Sequence, residues 1–160
     1  MIRRMQARDK EPVLGLIRAT GFFTDAEVAV AEELMDIYLA KPDRKDYDVV
    51  VVVADGAAGG GPAGYMTWGP TPLAEDAYDL YWMAVAPSEQ GKGRGKELVR
   101  WLEAEVGKRN GRVIIIETSS QPKYHGTRQF YIDLGYKEVA RVPDFYRAGD
   151  DRVIYAKYLR

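Results

Sequence analysis

Three glycines at alternate positions, Gly91, Gly93 and Gly95, form the stretch of this chain most suited to binding chemistry. Glycine adopts positive φ angles at little cost and lets a ligand approach the backbone closely. Apolar residues follow at helical spacing, so the glycines precede the first turn of a predicted helix. The free N–H groups and the dipole at a helix N-terminus attract anions. The stretch therefore predicts a pocket for a phosphate or pyrophosphate group.

Basic side chains alternate with these glycines, at Lys92, Arg94 and Lys96. They add positive charge where the anion is expected. The whole chain, however, has a net charge of -1 and so no general attraction for polyanions. The cluster is interpreted as a site for one small anion, with no nucleic-acid partner. A solvated basic loop that only caps a helix is the alternative.

Two common nucleotide-binding motifs do not fit this stretch. The Walker motif requires Ser or Thr after its lysine, but Lys96 is followed by Glu97. The dinucleotide fingerprint requires a third glycine at the place that Lys96 occupies. A different nucleotide-binding module remains a hypothesis, under which ATP or NAD would compete for the loop.

Two segments carry a resemblance to a known family. Gln90-x-x-Gly93-x-Gly95 resembles the acyl-CoA pyrophosphate loop (Q/R-x-x-G-x-G/A) of the GCN5-related N-acetyltransferases, the GNAT family. Residues 130–136 resemble the F-Y-x-x-L-G-F segment near the end of the same family's sequences. The two motifs occur in the family's order, with the expected elements between them. The chain is identified as a member of this family.

The resemblance implies that acetyl-CoA is the co-substrate. It would lie where the family's sheet splays apart, here between strands at residues 79–85 and 112–119. Met83 and Val85 would offer backbone groups to the pantetheine arm. The pyrophosphate would be held by Gln90, Gly91, Lys92, Gly93, Arg94, Gly95 and Lys96.

Tyr131 occupies the position of the family's usual general acid, beside the sulfur of coenzyme A, and a packed aromatic residue on a helix is the alternative. An unperturbed tyrosine has a pKa near ~10, so it is protonated at neutral pH and can protonate a leaving thiolate. Many members carry an asparagine shortly before this tyrosine, where this chain has Tyr124 followed by His125. Either residue is a candidate substitute for that contact, and loss of the contact is the alternative. His125 is a further candidate base, with an incidental loop histidine as the alternative.

A carboxylate is expected to remove the proton of the attacking amine, directly or through water. Asp79 and Glu117, on the two strands flanking the splay, are the candidates. Asp79 is preferred because Tyr81, Met83 and Val85 share its face if the strand alternates regularly. Charges that merely pair with Lys or Arg at strand ends are the alternative for both.

The acceptor pocket is expected to be rich in aromatic residues. The candidate substrate-binding residues are Phe22, Phe23, Trp68, Tyr81, Phe145 and Tyr146. Core packing is the alternative for Phe22 and Phe23. The expected acceptor is a primary amine of a small molecule or peptide, and fold alone cannot choose between them. Since the chain has no cysteine, an acyl-cysteine intermediate is excluded, which favours direct attack in a ternary complex.

The elements that must position these residues follow the order β-α-α-β-β-β-α-β-α-β-β. We predict one α+β domain over residues 1–160; the resemblance implies a three-layer α/β/α, GNAT-like arrangement with a mixed, splayed sheet of about six to seven strands and about four helices. Residues 47–54 are too uniformly apolar for a half-exposed strand and predict one buried on both faces. Loops are predicted at residues 55–62 and 143–151.

Composition narrows the class of protein. A 160-residue chain with 46% hydrophobic and 29% charged residues is typical of a soluble globular domain. The absence of cysteine and a single histidine argue against disulfides and the usual metal sites, so no metal is expected. No apolar run reaches membrane-spanning length, and we predict a cytoplasmic protein with no membrane partner. The family is often dimeric, so a homodimer is possible.

The functional hypothesis is therefore an acetyl-CoA-dependent N-acetyltransferase. The alternative is a non-catalytic acyl-CoA-binding regulatory domain on the same fold. The retained Tyr131 favours the enzyme. The two differ in whether an amine causes turnover of the bound cofactor.

Overall fold

The computed structural model describes residues 1–54 and 60–160, which form one seven-stranded sheet with four α-helices. The strands are β1 (Ile2–Arg4), β2 (Asp48–Val53), β3 (Pro62–Pro70), β4 (Ala77–Val85), β5 (Val113–Ser119), β6 (Lys137–Arg147) and β7 (Asp150–Tyr158). The helices are α1 (Lys10–Thr20), α2 (Asp25–Ala40), α3 (Arg94–Lys108) and α4 (His125–Asp133). The predicted fold class and element order are confirmed.

Helices cover both faces of the sheet, whose strand order is β1-β2-β3-β4-β5-β7-β6. The valines of β2 alternate between the two layers. Val50 and Val52 pack with the apolar side chains of α3, and Val49, Val51 and Val53 pack with those of α1 and α2. All five are at most 7% exposed, so the predicted burial on both faces is confirmed. No helix in the described ranges is long and apolar enough to cross a membrane.

The sheet splays open between its two parallel neighbours, β4 and β5. Their pairing runs from Ala77 opposite Val113 to Leu80 opposite Ile116 and goes no further. β4 nevertheless continues to Val85 and β5 to Ser119. The two strands therefore separate at their C-terminal ends, which is the expected splay and leaves a cleft in the middle of the sheet.

A β-bulge in β4 lies at the start of this splay. On the β3 side, Thr67 is opposite Trp82 while Trp68 is opposite Leu80, which leaves Tyr81 as the extra residue. A bulge shifts the side-chain alternation of a strand by one residue and re-aims the side chains that follow.

The prediction that Asp79 shares a face with Met83 and Val85 is therefore wrong. Leu80, Met83 and Val85 all pack on the α3 side of the sheet. Asp79 precedes Leu80 and so points to the opposite face. Regular alternation failed because the sequence pattern does not reveal the extra residue at Tyr81.

The predicted loop at residues 143–151 is also corrected. β6 extends through Arg147, pairs with Asp150 of β7, and turns at Gly149 with a φ of 79°. A register irregularity between Val142 and Arg147 absorbs the turn-forming residues. β6 is exposed along its whole length and lies at the edge of the sheet. An edge strand tolerates a proline such as Pro143, because it needs hydrogen bonds to a neighbouring strand on one side only. Of the other predicted loop, at residues 55–62, residues 55–59 lie outside the described part of the chain.

Candidate active site

The glycine loop has the backbone conformation that an anion site requires. Gly91 has a φ of 75° and Gly93, the N-cap of α3, a φ of 81°, both in the left-handed region that favours glycine. Gly95 lies in the first turn, where an added Cβ would be 3.2 Å from the Phe130 ring. The first N–H groups of α3 have no acceptor within the helix. The loop thus fits a pyrophosphate group.

The basic side chains of this loop are partly neutralised by neighbouring carboxylates. Lys92 Nζ is 2.9 Å from Glu89 Oε1, and Arg94 contacts Glu89 at 3.4 Å and Glu97 at 3.1 Å. Lys92, with Arg94, holds the pKa of Glu89 below its usual range. Lys96 is exposed to solvent. The sequence predicts three cations that act on the ligand, but two of them, Lys92 and Arg94, already have carboxylate partners. The backbone N–H groups therefore contribute more of the attraction for the anion than the sequence suggests.

A cavity of about 570 Å³ extends from this loop along the splayed end of β4; we call it the glycine-loop cavity. Its walls include Met83 and Val85 of β4 together with Phe22, Phe130 and Tyr131. Gln90 Nε2 donates to the Val85 carbonyl oxygen at 3.2 Å, so that carbonyl already has a partner.

A second cavity, of about 390 Å³, adjoins the first one inside the splay; we call it the carboxylate cavity. It is lined by Leu80 and Tyr81 of β4 and by Ile116 and Glu117 of β5. Tyr131, like Met83, lines both cavities. The glycine loop and the segment that carries Tyr131, which the resemblance predicts to act together, therefore lie on the two sides of one cleft.

Tyr131 is held rigidly on α4, at the junction of the cavities. Its side chain is only 4% exposed. The rings of Phe130, Tyr136 and Tyr155 surround it, with centroid distances of 5.3, 6.1 and 6.4 Å. Burial raises its pKa above that of a free tyrosine. The hydroxyl therefore keeps its proton at neutral pH, as a general acid must.

The two candidate carboxylates differ in position. Glu117 lines the carboxylate cavity and forms an ion pair with Arg152 of β7. Asp79 is half-buried on the far side of Tyr81 and lies outside the described lining of that cavity. Burial, reinforced by the negative charge of Glu117, raises the pKa of Asp79, although Thr71 and Tyr81 beside it act in the opposite direction.

Most of the predicted aromatic residues do lie around the cleft. Phe22 lines the glycine-loop cavity, and Phe23 lines both cavities. Tyr81 and Tyr146 line the carboxylate cavity. Phe145 is 50% exposed and packs edge-to-face against Tyr146, with ring centroids 5.0 Å apart, next to that cavity rather than in its described lining.

Trp68, in contrast, is a core residue and not a wall of the acceptor pocket. It is 1% exposed and belongs to the cluster on the α3 side of the sheet. Tyr78 and Trp101 pack against it at 6.0 and 5.9 Å. The residue opposite it is Leu80, which precedes the bulge and points into the same core.

Sequence reasoning missed a buried carboxylate, Asp150, in the wall of the carboxylate cavity. It is 3% exposed and accepts hydrogen bonds from Ser119 Oγ and, at 2.7 Å, from Gln121 Nε2. Arg147 lies 3.6 Å away. No local motif signals this cluster, because the pairing of β5 with β7 brings together residues from distant parts of the chain.

A second missed feature, the clasp, joins the loop after α1 to the segment before α4. Lys123 Nζ and the Tyr124 hydroxyl both donate to the Phe22 carbonyl oxygen, at 3.0 and 3.1 Å. The rings of Phe22 and Tyr124 are 5.5 Å apart. Burial raises the pKa of Tyr124 to about 12. His125 is exposed and is not among the described lining of either cavity.

Comparison with known proteins agrees with this geometry. The acetyltransferase (GNAT) domain profile matches residues 45–138. A crystal structure of a protein assigned to the GNAT acetyltransferases, from Desulfovibrio desulfuricans, is 39% identical, with a TM-score of 0.92 over 100% of this chain and 99% of that one. No curated protein gives a significant match.

More distant solved structures share the fold. An aminoglycoside 6'-N-acetyltransferase complexed with coenzyme A is 21% identical, with a TM-score of 0.74 over 100% of this chain and 97% of that one. The ribosomal-protein-S18-alanine N-acetyltransferase of Escherichia coli is 20% identical, with a TM-score of 0.75 over 99% of this chain and 93% of that one. The profile match and the 39% identical relative establish the assignment: the chain belongs to the GNAT family of acetyltransferases and is an enzyme of that class.

Proposed function

We propose that this enzyme transfers the acetyl group of acetyl-CoA to a primary amine of a small molecule or peptide, by direct attack in a ternary complex. The observation that carries the proposal is the position of Tyr131 between two adjoining cavities. One cavity begins at an anion-binding helix N-terminus, and the other contains Glu117. Both substrates can therefore be held at the same time, on the two sides of one proton donor.

The glycine-loop cavity is proposed to bind acetyl-CoA. The N–H groups at the start of α3 and exposed Lys96 would bind the pyrophosphate. The edge of β4 beyond Leu80 is unpaired on its β5 side, so backbone groups at Met83 are available to an amide-containing pantetheine arm. At Val85, the arm would have to displace the Gln90 side chain from the carbonyl oxygen. Acetyl-CoA would supply a thioester, whose carbonyl carbon accepts the amine and whose sulfur leaves.

Tyr131 is proposed to donate its hydroxyl proton to the departing sulfur. Its raised pKa keeps that proton in place until the carbon–sulfur bond breaks. Burial among three aromatic rings holds the hydroxyl in one position, which lowers the entropic cost of the proton transfer. The tyrosinate is then reprotonated from solvent before the next turnover.

An acceptor bound as an ammonium ion must lose one proton before its nitrogen can attack and a second one, which passes to solvent, as the new carbon–nitrogen bond forms. We propose that Glu117, which lines the carboxylate cavity, attracts the ammonium group. Asp79, whose pKa is raised by burial, is proposed to accept the first of these protons, through water beside Tyr81.

The test is thiol release from acetyl-CoA with a panel of primary amines that contains an amino acid, a polyamine, an aminoglycoside and a lysine peptide. The proposal predicts release that requires both acetyl-CoA and an amine. Cofactor binding without release on any amine would instead support a regulatory acyl-CoA-binding domain. A parallel thermal-unfolding assay measures binding, because a ligand at about a hundred times its dissociation constant adds roughly 2.7 kcal/mol to stability.

A further inference from the structure

A third depression, the apolar groove, continues from the carboxylate cavity on the side away from the glycine loop. Its volume is about 620 Å³, and it shares Tyr81 and Trp82 with that cavity. Its remaining walls come from α2, the segment before β2, β3 and the loop after β3. Most of the exposed lining is apolar and includes Leu34, Tyr47, Pro70, Pro72 and Leu73, and the polar members are Lys45, Asp46, Thr67 and Thr71. An open path of apolar surface therefore leads from the reaction centre to the outside of the protein.

Tyr81 connects the carboxylate cavity to this groove because of the β-bulge. As the extra residue of β4, it has no partner on β3, and its side chain is 41% exposed. Bulges next to active sites commonly re-aim a side chain in this way. The bulge here leaves a large aromatic ring between the two sites.

Leu73 forms the outer rim of the groove in an unfavourable conformation. Its φ is 61°, in the left-handed region, which a leucine occupies only at a cost in free energy. Its relative exposure is 109%, so no side-chain packing offsets that cost, and the turn hydrogen bond from the Ala74 N–H to the Thr71 carbonyl oxygen, at 3.2 Å, holds the conformation. Asn or Gly would be more stable at this position. Strained residues cluster at active sites, ligand clamps and switch regions.

We propose that the apolar groove binds an apolar arm of the acceptor, so that the substrate is a primary amine carrying an aromatic or branched aliphatic group. The amine would enter the carboxylate cavity, and the arm would cross Tyr81 and contact Leu34 and Leu73. This inference rests on the proposed function. It disfavours acceptors covered with hydroxyl groups, because the mostly apolar lining would leave many of those groups without hydrogen-bond partners.

The test compares a series of phenylalkylamines with alkylamines of the same chain lengths. The wild-type protein is expected to show a kcat/KM about ten-fold or more higher for the best phenyl compound than for its alkyl partner. Leu73→Asn, which suits the left-handed backbone, should reduce this ratio several-fold. The matched control is Val30→Asn on α2, an exposed apolar residue outside the described lining of the groove, and it should leave the ratio unchanged.

Equal kcat/KM values for phenyl and alkyl compounds in the wild-type protein would overturn the inference, as would a ratio that survives both Leu73→Asn and Leu34→Ala. Calorimetric binding of the phenylalkylamines to the coenzyme A-saturated protein separates this result from a failure of the proposed function. Tight binding that Leu73→Asn weakens supports the groove even without turnover. Turnover of alkylamines with no preference for a phenyl group rejects the groove and leaves the acetyltransferase proposal intact.

Discussion

Tyr131 is the residue on which the proposed chemistry depends most. Replacing it with Phe removes only the hydroxyl and keeps the ring that packs against Phe130, Tyr136 and Tyr155. We expect Tyr131→Phe to lower kcat by about a hundred-fold or more, the usual loss when a general acid is removed. The KM for acetyl-CoA should change little. Steady-state thiol release and the unfolding temperature with coenzyme A measure the two effects.

Tyr136→Phe provides the matched control for this substitution. Tyr136 is 1% exposed, its ring lies 6.1 Å from that of Tyr131, and it is not among the described lining of either cavity. Its loss of a hydroxyl should leave kcat close to the wild-type value. If Tyr131→Phe and Tyr136→Phe have equal kcat values, Tyr131 is not the general acid.

We expect Asp79 to make kcat/KM depend on pH on the acidic side of the activity profile. Its carboxyl group must be ionised to accept a proton, and burial raises the pH at which this happens. The kcat/KM should therefore rise as pH increases through the raised pKa of Asp79. Asp79→Asn should abolish this rise and lower kcat/KM, whereas Glu117→Gln should weaken amine binding and keep the rise. A rise that persists in Asp79→Asn but vanishes in Glu117→Gln would assign the base to Glu117.

The same residue predicts an effect on stability. Because the pKa of Asp79 is higher in the folded than in the unfolded protein, the folded state binds its proton more tightly. The free energy of unfolding should then decrease as pH rises from the unfolded pKa of about 3.9 through the folded value. Asp79→Asn should lose this component of the pH dependence. Urea unfolding of the two proteins across that range measures it, and identical pH profiles would argue against the raised pKa.

At the scale of elements, the glycine loop and α3 act as one anion-binding unit. Gly93→Ala places a Cβ on a residue with a φ of 81°, which costs about 1–2 kcal/mol for an L-residue in the left-handed region. We expect this variant to unfold at lower temperature and to bind coenzyme A more weakly, because the first N–H groups of α3 shift. Thermal unfolding with and without coenzyme A measures both changes.

Gly107→Ala is the control within the same helix. Gly107 lies near the end of α3, and an added Cβ would meet no atom within 4 Å. This substitution should stabilise the helix by about 0.5–1 kcal/mol and leave coenzyme A affinity unchanged. A Gly93→Ala protein with normal coenzyme A affinity would mean that the loop does not bind the pyrophosphate.

The sequence predicted the elements whose signals are local. The alternating glycines and the apolar spacing after them were sufficient for α3, and the valines of residues 49–53 were sufficient for a strand buried on both faces. The bulge at Tyr81 has no such signal, because it depends on the register with β3. Consequently the faces assigned to Asp79 and Met83 could not be predicted, and Trp68 was placed in the pocket instead of the core.

β6 shows the same limit in another form. The turn-forming residues at 143–151 favour a loop in the sequence. In the structure this part of β6 pairs with β7, and an irregular register between Val142 and Arg147 accommodates the turn-forming residues. The irregular pairing keeps Phe145 and Tyr146 on an extended strand, where Tyr146 reaches the carboxylate cavity. Tertiary pairing thus decided both the element and the site residue that it carries.

At the scale of the whole molecule, the splay creates a site from two separate regions of the sheet. In the clasp, Lys123 and Tyr124 donate to the carbonyl oxygen of Phe22, which lies 101 and 102 residues before them in the sequence. Contacts at this separation leave no trace in a single sequence, which is why the clasp and the Asp150 cluster were missed. Lys123 and Tyr124 of the clasp line both cavities. The glycine loop borders one of these cavities, and the apolar groove adjoins the other.

Simultaneous occupation of the two cavities is the central claim. It is tested most directly by initial-rate kinetics, with acetyl-CoA and an accepted amine varied together and thiol release as the signal. Direct transfer in a ternary complex predicts double-reciprocal lines that intersect, and Tyr131→Phe should lower the rates without altering that pattern. Parallel lines, which indicate that coenzyme A departs before the amine binds, would contradict the account.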